Sequence, residues 1–73
     1  MKTDPNDYGI HIERIVEDGT VSYKATVAEL PHLTTYEETA QAALEVMIED
    51  ISALQRLALE HGHRFPPPGA TRI

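Results

Sequence analysis

The stretch YKATVAELPHLTTYEETAQAALE, residues 23–45, changes its hydrophobic period part-way through, and nothing else in the chain narrows the fold as much. It opens with Tyr23, Ala25 and Val27 alternating against Lys24, Thr26 and Ala28, the period of a strand with one face buried. Further on, Ala40, Ala43/Leu44, Met47/Ile48, Ile51, Leu54 and Ala58 recur every three or four residues, the period of a helix with one apolar stripe. A chain that turns from strand to helix so abruptly must lay the helix back over the strands that precede it.

The strand before the switch has a partner. In YGIHIERIVE, Tyr8, Ile10 and Ile12 share one face, with His11, Glu13 and Ile15 on the other. The dipeptide Asp18-Gly19 then suits the positive φ angles of a tight turn, so the second strand, VSYKATVAEL, should run antiparallel to the first. Pro31 lacks the N–H that a ladder uses, which stops that strand and leaves HLTTY room for a short third strand at best.

Thr35 followed by Glu38 reads as a capping box that opens the helix, with Gln41, Glu45, Glu49, Ser52, Arg56 and Glu60 on its solvent side. Gly62 offers the left-handed residue that ends it near His61, whose side chain suits the negative end of the helix dipole. HRF is expected to return as a short edge strand, and PPPGATRI to form a polyproline-like tail. The expected fold class is therefore α+β, in β-β-β-α-β order, with one long helix on one face of a small antiparallel sheet. Its 73 residues make one domain, with a folded core over 8–66 and a proline-rich tail over 67–73.

A core of this size is modest, so self-association is an expected supplement to stability, and the chain is expected to be a homo-oligomer. The formal net charge of −6 disfavours nucleic acid and anionic membranes and favours a basic partner. There is no cysteine, no apolar run of membrane-spanning length and no hydrophobic signal-peptide centre in MKTDPNDYG, so a cytoplasmic location is expected.

Catalytic signals are weak. His61-Gly62-His63 is the tightest histidine cluster, but it lacks the i, i+4 helical spacing of paired metal ligands, and helix-end histidines have an adequate role as carbonyl partners. Glu13, Glu17, Asp18, Glu29 and Asp50 do not converge by any sequence logic on a two-metal site. No serine-histidine-acid motif, glycine-rich phosphate loop or basic patch interleaved with aromatics is present. The expectation is a binding protein without enzymatic activity, metal or cofactor.

Tyr23, Ala25, Val27, Glu29, Leu30 and Pro31, then Thr35, Glu37 and Glu38, then Gly62, Phe65, Pro66 and Pro68 follow one another in an order that resembles the N-terminal domain of HicB family antitoxins, over about residues 8–68. The chain departs from that family pattern at His32, where glycine is usual, and at Thr39-Ala40, where Ala-Leu is usual. The resemblance implies a partial ribonuclease-H-like fold, three strands backed by one helix. It also implies neutralisation of a small basic RNA-cleaving toxin of HicA type by covering its active site. Most HicB proteins add a C-terminal DNA-binding domain, which the resemblance, ending near Pro68, leaves out here. The residues expected at the toxin interface are Glu29, Pro31 and His32 at the sheet edge, with Glu45 and Glu49 on the helix. The alternative is a HicB-like oligomeric scaffold domain with no toxin partner; a neighbouring gene for a small basic protein would favour the antitoxin.

Overall fold

The computed structural model describes residues 5–69. A short 3-10 helix, Pro5–Asp7, leads into β1 (Ile10–Glu17), β2 (Thr20–Val27) and β3 (Leu30–Glu37), followed by α1 (Ala40–Glu60). The strands form one antiparallel sheet in the order β1-β2-β3, and α1 packs across all three. This is the expected α+β class and β-β-β-α order. The final strand is not formed: among the described residues, 63–67 has no regular secondary structure.

The β1–β2 turn follows from its two residues. Asp18 and Gly19 take φ of 51° and 76°, the pair of left-handed conformations that matches the twist of a two-residue hairpin. The resulting register sets Ile10 opposite Val27 and Ile12 opposite Ala25, so the apolar residues of both strands fall on one face. Ala25, Val27, Ala43, Met47 and Ile51 are buried there, and Ile10, Ile12, Tyr23, Leu30 and Leu33 pack around them.

The third strand is longer than its sequence suggests. Chain reversal occurs at Ala28-Glu29, two residues before Pro31, so β2 ends at Val27 rather than running on toward the proline. β3 then spans 8 residues with Pro31 in second place. Thr26 stands opposite Thr34 and Val27 opposite Leu30, so Pro31, His32 and Leu33 bulge out of the ladder at a point where no N–H is required of the proline.

Because β3 continues to Glu37, the helix starts later than a capping box at Thr35 would allow. Thr35 lies in the ladder opposite Ala25, and its hydroxyl donates to Glu37 Oε2 at 3.0 Å. The N-cap is Thr39, in extended conformation, with its Oγ1 accepting from the Ala42 N–H at 3.0 Å. Thr39→Ala is accordingly expected to cost about 1 kcal/mol by leaving that donor without its cap, whereas Thr35→Ala leaves the helix start intact. Denaturant melts of the two variants, with helix content followed by circular dichroism, check the assignment.

The other end of α1 closes as its sequence indicates. Gly62 has φ +67°, its N–H donates to the Leu59 carbonyl and the His63 N–H donates to the Ala58 carbonyl, the paired bonds of a Schellman motif. At 21 residues α1 is about 31 Å long, against roughly 27 Å for an 8-residue strand. Leu57 and Leu59 flank the half-buried Ala58, off the stripe that faces the sheet, and are exposed.

Candidate functional site

The five residues expected at a partner interface separate into three settings. Glu45 and Glu49 are exposed one turn apart on α1, away from the buried stripe of Ala43, Met47 and Ile51, and Gln41 Nε2 donates to Glu45 Oε2 at 3.2 Å. Pro31 and His32 are exposed in the bulge of β3, at an edge of the sheet. Glu29 is different: it is 7 % exposed, and its carboxylate is occupied within the fold.

The Glu29 position follows from the two-residue β2–β3 turn. The Gly9 carbonyl accepts from the Ala28 N–H at 3.0 Å, and the Gly9 N–H donates to Glu29 Oε1 at 3.0 Å, so this turn holds the entry to β1 by both backbone groups of one residue. A Cβ at Gly9 would stand in ordinary contact with Ala28 Cβ at 3.4 Å and Glu29 Oε1 at 3.5 Å, so the two backbone bonds and not the lack of a side chain define this approach. The other carboxylate oxygen, Oε2, accepts from the Gly69 N–H. Asp7, Gly9, Glu29, Pro68 and Gly69 line a shallow depression at this spot.

Tyr8 anchors the same segment from the other side. Its ring meets Phe65 edge-on, with centroids 6.0 Å apart, and its hydroxyl donates to the Pro66 carbonyl. Of the tail expected over 67–73, residues 67–69 thus lie between two polar anchors, Tyr8 and Glu29, and 70–73 fall outside the described residues. Neither anchor carries a sequence signal of this role. A tyrosine on an apolar face reads as core, and a glutamate in a turn reads as solvated.

Burial pushes the Tyr8 hydroxyl above its usual pKa of 10.0, and the negative charge of Glu29 adds to the rise against a hydrogen bond with Gln55. A raised folded-state value means that folding disfavours the phenolate. The stability Tyr8 contributes is therefore complete below pH 10.0 and is lost as pH rises through the higher folded value. Denaturant melts taken below and above pH 10 should show an alkaline loss of stability that is smaller in Tyr8→Phe.

Among the described residues, no three His, Asp or Glu side chains are grouped so as to hold a metal ion, and no helix is long and apolar enough to cross a membrane. His61 and His63, the tightest histidine pair, meet as rings, edge to face with centroids 6.0 Å apart. Comparison with protein families, with characterised proteins and with solved structures returns no match. The described residues offer a partner an acidic helix face, an exposed bulge at one sheet edge, and an open strand at the other.

Proposed function

We propose that this chain is a cytoplasmic HicB-like antitoxin that masks a small basic RNA-cleaving toxin of HicA type, using α1 and the β3 edge. The observation that carries the reading is the exposed acidic side of α1. Glu45, Glu49 and Glu60 are all exposed there, and Arg56 is the one basic residue of the helix, in a chain of formal net charge −6. An RNA-directed toxin must present positive charge to phosphates, and an acidic surface competes for that charge with fast, salt-sensitive association. The spaced residues from Tyr23 to Pro68 and the three-strand, one-helix order are compatible with the same reading.

The expected interface is now Glu45 and Glu49 together with Pro31 and His32. Glu29 moves from contact residue to support, because its carboxylate holds Gly9 and Gly69. Co-expression tests the function. The small basic products of genes flanking this one are expressed alone and with this protein; the reading expects growth arrest that co-expression relieves. Toxicity that persists in the presence of soluble antitoxin sets the reading aside.

The scaffold alternative is favoured by a different observation, the apolar surface left open at Val16, Leu57 and Leu59, which are 54, 50 and 82 % exposed. A flanking set without a toxic basic protein, and self-association without a partner, would place it first.

A further inference from the structure

The sheet has two edges that differ in kind. β3 carries Pro31, which has no N–H, and the bulge at 31–33 interrupts its pairing. β1 is 8 residues long, free of proline, and paired without interruption to β2 along its whole length.

Which groups β1 presents outward follows from its register. Glu17 and Thr20 flank a two-residue turn and so form a hydrogen-bonded pair; by alternation Ile15, Glu13 and His11 also bond to β2. Ile10, Ile12, Arg14 and Val16 then direct their backbone groups to the open side. Of these four, Ile10 donates its N–H to the Tyr8 carbonyl at 2.9 Å, and among the described residues no loop or turn backbone group bonds to the N–H groups of Ile12, Arg14 and Val16. In residues 10–14 of β1 the charges of Glu13 and Arg14 cancel, so this part of the edge is formally neutral in an acidic molecule and gives a second copy little repulsion.

We propose that β1 is a self-association edge, on which two copies pair antiparallel about a two-fold axis at Ile12 to join their sheets. Charge and length together select this register, since axes at His11 or Val16 would pair only residues 10–12 or 15–17 of the strand and the Ile12 axis pairs 10–14. In a continuous sheet a two-fold pairing sets odd-numbered residues against odd and even against even. An axis at Glu13 places Glu13 against itself, and an axis at Arg14 places arginine against arginine, both unfavourable. An axis at Ile15 opposes Glu13 to Glu17. The axis at Ile12 opposes Ile12 to Ile12 on the helix-covered face, His11 to Glu13 twice on the other face, and Ile10 to Arg14 twice, with no like charges opposed among the paired strand residues 10–14. The Ile12 and Arg14 N–H groups then find the partner's Ile12 and Ile10 carbonyls, while Ile10 keeps its bond to Tyr8.

The pairing extends the sheet and leaves both helices on one face. It is tested by sedimentation equilibrium with three variants. The full chain is expected at twice its 8.1 kDa at micromolar concentration. Arg14→Pro removes an outward N–H that β2 does not use, so it should keep the native circular dichroism and sediment as a monomer. His11→Glu, which opposes Glu to Glu13, should weaken the dimer about tenfold, and adding Glu13→Lys to it should restore the affinity. Hydrogen exchange should show protection of the Ile12 and Arg14 amides that rises with protein concentration. A full chain that stays at 8.1 kDa overturns the proposal. So does a dimer that Arg14→Pro leaves intact, which would move self-association to the exposed leucines of α1.

Discussion

Met47→Ala should destabilise the protein by about 2–5 kcal/mol, the range for truncating a fully buried apolar side chain. Met47 is fully buried, with Ala43 and Ile51 one turn away on either side of it in the α1 stripe. It packs in a cluster whose buried strand residues are Ala25 and Val27. Two alanines bring helix and sheet close, and the long, adaptable methionine fills the space between them. A domain of this size buries little else, so neighbouring side chains have few ways to collapse into the cavity. With each kcal/mol moving the melting temperature of a domain this small by about 4–8 °C, the loss is large on any thermal scan. Leu59→Ala is the control: at 82 % exposure it should shift stability by no more than about 0.5 kcal/mol. Equal melts for the two variants would mean that α1 does not seat on this stripe.

Glu29→Leu is expected to cost about 1–3 kcal/mol and to loosen the C-terminal segment, because it removes the acceptor of the Gly9 and Gly69 N–H groups. Glu29→Gln keeps one acceptor oxygen and should lose less. Hydrogen exchange at Gly9 and Gly69 reports the two bonds separately from global stability, and both amides should exchange faster in Glu29→Leu. The pair also separates two roles for this residue. A support role predicts a stability loss that spreads to the segment held by Tyr8. A partner-contact role predicts unchanged stability with a loss confined to binding, which would reinstate Glu29 at the interface.

The parts of this fold that were legible in the sequence are those decided within a few residues. Asp18-Gly19 reads as a turn because two adjacent left-handed residues suit little else, and Gly62 reads as a helix stop for a related reason. The stripe of Ala43, Met47 and Ile51 reads as core because its period is helical. The start of the helix was not legible, since Thr35 and Thr39 both satisfy the local rule for an N-cap. Pairing of β3 with β2 as far as Glu37 decides between them, and that is a tertiary term. Pro31 misled in the same way: its missing N–H forbids a regular ladder position, and the bulge supplies an irregular one. At the candidate site, Glu45 and Glu49 were readable as an exposed stripe. The inward turn of Glu29 was not, because its ligands are backbone groups from residues 20 earlier and 40 later.

Binding to a basic protein is the central claim, and titration calorimetry at low and moderate salt tests it most directly. The protein is titrated with the small basic product of a flanking gene, alongside the Glu45→Lys, Glu49→Lys double variant. Both positions are exposed, so the variant should fold as the parent does. The account predicts a one-to-one complex of protomers whose affinity falls as salt rises, and a variant that binds markedly more weakly and loses most of that salt dependence. Absence of binding by the parent protein, or a variant that binds with unchanged affinity and unchanged salt response, would contradict it.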